Sequence, residues 1–226
     1  MGIFIALIRK LILFLNLLSR PQTLLELLRH GHQGFLYEVG WIRSFESKTP
    51  VDRMGAALPW MTYPMIEFLK ARIRSNWTVF EYGSGYSTCF FSKNSKFVYT
   101  IDHNEQWTAL VQNNLLSQSS DNYKLYTEAF SETSKYANSI QLVASPVDLV
   151  IVDGVHRNEC IVACLSKLNA KGVIILDDSE RDEYQPGVDL LARNGFKALE
   201  FWGFSPGLFY RKCSTLYYRQ ENLFDI

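Results

Sequence analysis

The feature that most restricts this chain begins at Thr78. From there, short β-branched and aromatic runs alternate with segments long enough for helices. The strand runs are 78–82 (TVFEY), 97–101 (FVYTI), 123–126 (YKLY), 147–152 (VDLVIV) and 173–176 (VIIL). Between them, residues 87–92, 105–116, 132–142 and 158–168 read as helices. Alternation of this kind demands right-handed crossovers, and so a parallel sheet covered by helices on both faces. The run 173–176 is apolar throughout, as a strand buried on two faces has to be. A helix near 187–193 follows. Runs at 198–202 and 208–212, joined through Gly203, Pro206 and Gly207, then read as a hairpin. The expectation is a parallel sheet closed by an antiparallel edge pair.

Length and charge narrow the field further. At roughly 150 residues per domain, 226 residues leave room for one α/β domain and an appendage. Lys and Arg number 23 and so do Asp and Glu. A protein that neutralises phosphates normally carries a basic excess, so the balance argues against nucleic acid as a partner. The four cysteines (Cys89, Cys160, Cys164, Cys213) show no zinc spacing and read as buried thiols in a reducing, cytoplasmic setting.

Residues 3–18 (IFIALIRKLILFLNLL) are the most apolar stretch, yet fall short of the ~20 residues of a membrane span and hold Arg9 and Lys10 at their middle. On a helical wheel Arg9, Asn16 and Arg20 form a narrow polar edge, with Lys10 beside it. Such a helix suits peripheral contact with an anionic membrane, here its inner face, or packing on its own domain, or on a second subunit of a homodimer. The expected division is an N-terminal amphipathic helical segment over 1–30, an irregular linker or lid over 31–64, and an α/β domain over 65–226.

In an open α/β sheet, ligands gather at the carboxyl ends of the strands, where strand order reverses. Here every parallel strand ends in an acid: Glu81 in the first, then Asp102, Glu128, Asp153, and the pair Asp177–Asp178. The first strand runs into Gly83-Ser84-Gly85, a turn that lets backbone approach a ligand, with helix amides beyond. Asp102 stands where a ribose diol would be held. Thr88 replaces the third glycine of the dinucleotide fingerprint, which disfavours a nicotinamide-dependent oxidoreductase.

Glu81-Tyr82-Gly83-Ser84-Gly85 resembles the acid-x-Gly-x-Gly motif of class I S-adenosylmethionine-dependent methyltransferases, over roughly residues 63–212. The resemblance implies a Rossmann-like three-layer sandwich with a mostly parallel seven-stranded sheet and an antiparallel last strand. It implies S-adenosyl-L-methionine as cofactor, with Glu81 near the methionine amino group, Gly83, Ser84 and Gly85 along the cofactor, Asp102 on the ribose and Glu128 near the adenine. His103 and Asp153 complete the expected cofactor contacts, His103 as a wall.

The stretches Val152-Asp153-Gly154-Val155-His156-Arg157 and Ile174-Ile175-Leu176-Asp177-Asp178 are similar to those of metal-assisted O-methyltransferases of catechol and sugar type. That likeness implies Mg²⁺ held by Asp153, Asp177 and Asp178, a set of hard oxygens that suits this ion. The ion would lower the pKa of an acceptor hydroxyl on a small molecule or glycan. Helix capping is the other reading of Asp177–Asp178. His156, with Asp153, is the candidate catalytic pair: a general base by its ordinary pKa, or else a helix-start residue. A non-catalytic binding or assembly module on the same fold is the remaining alternative.

Overall fold

The computed structural model describes residues 2–29, 31–117 and 119–226, without the side chains of residues 2–4 and 11. Its centre is one seven-stranded sheet of β1 (Thr78–Tyr82), β2 (Phe97–Asp102), β3 (Tyr123–Thr127), β4 (Val147–Val152), β5 (Leu168–Asp177), β6 (Lys197–Gly203) and β7 (Lys212–Tyr218). The spatial order is β3-β2-β1-β4-β5-β7-β6. β1 to β5 pair in parallel, and β7 runs antiparallel to both β5 and β6. Chain order reverses at β1, which lies between β2 and β4, and that places the switch point beside Gly83.

Strand periodicity sorts the core into two layers. Val79, Leu149, Ile151, Val173 and Ile175 point to one face, against α4 (Trp41–Ser47), α5 (Tyr63–Arg72) and α6 (Tyr86–Asn94). Phe80, Tyr82, Val150, Val152, Ile174 and Leu176 point to the other, against α8 (Thr133–Asn138), α9 (Arg157–Cys164) and α10 (Gln185–Arg193). Each fully buried Val, Ile or Leu contributes about 1.5–3 kcal/mol, and the period of two makes both faces contribute at once. α7 (Glu105–Ser117) covers the β2–β3 edge through Val111 and Leu115. All four cysteines are buried.

Three expectations need correction. The hairpin partner of β6 is Lys212–Tyr218 rather than 208–212. The apolar character of 208–211 serves a loop instead: Trp41 donates its indole N–H to the Leu208 carbonyl, and Trp60 donates to that of Pro206. α9 ends at Cys164, and Leu168, expected at its end, already pairs with Val147 in β5. The helix expected over 132–142 is α8 followed by a 3₁₀ turn over Ser139–Leu142. Within 31–64 lie α3 (Phe35–Glu38), α4 and the start of α5, and Trp41, Leu58 and Met61 join the sheet's core.

α1 (Gly2–Leu18) and α2 (Pro21–Arg29) lie outside that core. Ile5, Leu7, Ile8, Ile12, Leu13, Phe14, Leu15 and Leu18 of α1 are all exposed. Among the described residues no single helix is long and apolar enough to cross a membrane.

Candidate active site

Beside the switch point, the turns after β1, β2 and β4 enclose a cleft of about 420 Å³. Gly83 sits at φ +95°, a left-handed conformation that glycine adopts without strain. A Cβ there would meet the Asp153 carbonyl at 2.8 Å, so the first turn lies against the fourth strand's end with no room for a side chain. Gly85 is extended and has only ordinary contacts around a virtual Cβ.

Asp102 ties two of these turns together. Its Oδ2 accepts from the Ser84 N–H at 2.9 Å and from the Ser84 hydroxyl at 3.2 Å. Its Oδ1 accepts from the His103 N–H at 2.7 Å and the Asn104 N–H at 3.0 Å. Trp107 on α7 donates its indole N–H to the Ser84 carbonyl at 2.6 Å and forms a wall of the cleft. Gly83, Ser84, Gly85, Asp102, His103 and Asp153 therefore line one cavity, together with Trp60, Trp107 and Gly154.

Glu81 is placed elsewhere. It is fully buried beneath the turn and absent from the cleft lining. Its Oε2 accepts from the Thr88 hydroxyl at 2.5 Å and the Thr100 hydroxyl at 3.0 Å, and the Thr88 oxygen accepts from the Gly85 N–H. Thr88, which from sequence only marked a missing glycine, thus clamps the turn. Burial pushes the Glu81 carboxyl up to about 7 against the pull of these hydroxyls. Its Oε1 has no hydrogen-bond partner among the described residues.

Two further candidates lie off the cleft. Glu128 stands at the end of the third strand, where its N–H donates to the Asp102 carbonyl, but it does not line the cavity. His156 begins α9 at φ +54° and lines the neighbouring groove instead. Its Nε2 lies 2.7 Å from the Phe130 carbonyl and its ring packs on Phe130, so this geometry serves the loop rather than a base in the cleft.

Asp153, Asp177 and Asp178 do converge, with ligand oxygens within 4.8 Å of one another. No local pattern in the chain signals what lies between them. Lys212 Nζ, from the start of β7, pairs with Asp177 Oδ2 and with Asp178 Oδ1. Arg157 pairs with Asp153 Oδ1 at 3.1 Å and approaches Asp178 at 3.6 Å, while Arg181 holds Asp178 at 2.7 Å. Ser214 donates to Asp177 Oδ1 at 2.5 Å. Burial, and then the Asp177 charge, push the Asp153 carboxyl above the usual range, with Arg157 and Lys212 pulling it back. Asp177 is raised by burial despite Lys212. Burial opposes the charge of Asp178, but Lys212, Arg157 and Arg181 together outweigh it and the carboxyl falls below its ordinary value. Three acids face three basic side chains, so the charge that Mg²⁺ would neutralise is already matched. The donor set suits Mg²⁺, but with an ammonium seated among the oxygens the pocket as it stands does not fit the ion.

A doubly wound sheet with a cleft at its glycine turn, closed by antiparallel final strands, is the Rossmann-like methyltransferase fold. Residues 80–179 match the model of a family described as a methyltransferase domain. That stretch is less than half of the chain, and over it the chain is similar to methyltransferase domains. No curated protein matches it significantly. Among solved structures, an rRNA methylase from Streptococcus thermophilus is 22% identical, with 70% of this chain and 97% of that one covered and a TM-score of 0.54. Precorrin-6y C5,15-methyltransferase from Geobacter metallireducens is 15% identical, with 78% and 96% covered and a TM-score of 0.56. A Streptococcus mutans protein solved in complex with SAH is 16% identical, with 67% and 94% covered and a TM-score of 0.51. At these identities the likeness speaks for the fold.

Proposed function

We propose that this enzyme methylates a hydroxyl of a small-molecule or glycan acceptor that carries an apolar chain. The supporting observation is a run of three adjoining cavities. The glycine-turn cleft shares Trp60 and Asp153 with an acidic pocket of about 270 Å³. That pocket shares Leu208 with an apolar groove of about 390 Å³, lined by Leu28, Leu36, Trp41, Phe204 and Phe209 among others. A polar head seated beside Asp153 with an apolar tail in the groove would use all three.

In this reading Gly83, Ser84, Gly85 and Asp102 hold the cofactor, with His103 and Trp107 as walls. When bound, S-adenosylmethionine supplies a methyl on sulfonium: the acceptor oxygen bonds to it, the carbon–sulfur bond breaks, and that electron pair stays on sulfur. Asp153 is the residue for the hydroxyl proton. It lines both cleft and acidic pocket, Arg157 fixes its Oδ1, and its Oδ2 makes no hydrogen bond among the described residues. The exposed apolar side chains of α1, with Arg9 and Lys10 also exposed, suit an anionic membrane surface that would deliver such an acceptor.

The test supplies the full chain with methyl-labelled S-adenosylmethionine and, separately, a glycolipid fraction, its delipidated glycan, and RNA. Base-stable label in the glycolipid is the expected result. Equal label in the delipidated glycan removes the apolar chain from the proposal. Label confined to RNA, the substrate class of the Streptococcus thermophilus rRNA methylase, overturns the acceptor altogether.

A further inference from the structure

Lys212 lines the acidic pocket, and its surroundings hold two of its donors firmly. The ammonium has three donors. Two go to Asp177 and Asp178, and the third faces the Trp60 carbonyl at 3.4 Å, too long for a strong bond. Trp60, which that weak third donor faces, is also shared by the glycine-turn cleft and the acidic pocket. Lys212 is 5% exposed and its partner Asp177 1%, so this is a buried, desolvated cluster rather than a surface ion pair.

The rest of the cluster is equally fixed. Arg157 is buried and donates to the carbonyls of Gly154 and Asp177 as well as to Asp153. Asp177 spends its second oxygen on Ser214. A divalent ion entering between the three carboxylates would have to displace an ammonium bonded to two of them, and would meet the Arg157 charge on the third.

We infer that Lys212 is a resident cation that makes this methyl transfer independent of divalent metal, its loosely held third donor positioning the acceptor oxygen between Asp153 and the cofactor cleft. The inference rests on the proposed transfer for the identity of that oxygen. The competition between lysine and metal needs no substrate at all. Removal of the lysine charge leaves two buried acids facing each other, and a hard divalent cation then finds the oxygens it prefers.

Calorimetric titration of the full chain with Mn²⁺ is the direct test. The wild-type protein should show no stoichiometric binding, and its methyl transfer should be unchanged in EDTA. Lys212→Met should bind one Mn²⁺ at least tenfold more tightly than wild type, and binding should vanish again on adding Asp177→Asn. In transfer assays Lys212→Met should raise the acceptor KM while leaving that for S-adenosylmethionine unchanged, and added Mn²⁺ should recover activity. A single Mn²⁺ site in the wild-type protein, abolished by Asp153→Asn or Asp177→Asn, overturns the inference even if Lys212→Met does not fold. Failure to bind S-adenosylhomocysteine, measured on the same wild-type protein, would sink the proposed transfer and leave the metal result standing.

Discussion

A Cβ on Gly83 would stand 2.8 Å from the Cα of Gly154, and one on Gly154 would stand 2.9 Å from the Gly83 nitrogen. Two turns from strands 70 residues apart in sequence thus meet backbone to backbone, and the glycine-turn cleft opens at their seam. Gly83→Ala should therefore cost about 3 kcal/mol, from a positive φ and from overpacking against rigid backbone. Gly85→Ala should fold with stability within about 1 kcal/mol of wild type, since its Cβ meets nothing closer than 3.6 Å, yet weaken S-adenosylhomocysteine binding by filling the cleft. Thermal melts and calorimetry on the two variants check both halves.

Asp102 satisfies three backbone N–H groups, those of Ser84, His103 and Asn104. Buried donors left without a partner cost about 1–3 kcal/mol each. Asp102→Ala should lose at least ~3 kcal/mol in denaturant unfolding and all measurable S-adenosylhomocysteine binding. Binding that survived with wild-type affinity would remove Asp102 from the cofactor site.

The Glu81 carboxyl, ordinarily at 4.5, stands at about 7 in the folded chain because burial penalises its charge. The folded state therefore keeps a proton that the unfolded state has released between these values. Stability from this group is fully present below about 4.5 and is lost as pH rises toward 7, on the order of 3 kcal/mol across the window. Glu81→Gln cannot ionise, and its unfolding free energy should fall less steeply over the same range. Parallel slopes in urea melts from pH 4.5 to 7.5 would contradict the assignment.

Asp153 and His156 separate the two candidate proton acceptors. Asp153→Asn should lower kcat by about 10² or more, the size of a lost general base. His156→Asn keeps a residue that tolerates the left-handed backbone and should leave kcat within about threefold of wild type. Comparable losses in both variants would return His156 to the chemistry.

Charge reversal on α1 tests its surroundings. Arg9→Glu with Lys10→Glu should reduce binding to anionic vesicles severalfold at low salt, and the difference should shrink at high salt. Vesicle binding that ignores both charge and salt would favour α1 as a packing face for a second copy of the chain.

Local pattern determined most of the architecture. The β-branched runs of β1, β4 and β5 and the glycine turn after β1 are legible because burial on two faces and left-handed φ each demand particular residue types in consecutive positions. The same holds for the gathering of Gly83, Ser84, Gly85, Asp102, His103 and Asp153, since acids and glycines at parallel strand ends must converge at the switch point. Tertiary structure alone decided the rest. It buried Glu81 under Thr88 and Thr100, and turned His156 toward Phe130. It brought Lys212, 34 positions beyond Asp178, between two aspartates because β7 runs antiparallel to β5. Whether a carboxylate binds a metal, a ribose or a lysine depends on which charges lie within a few ångströms, and neighbours across a sheet leave no periodic trace in the chain.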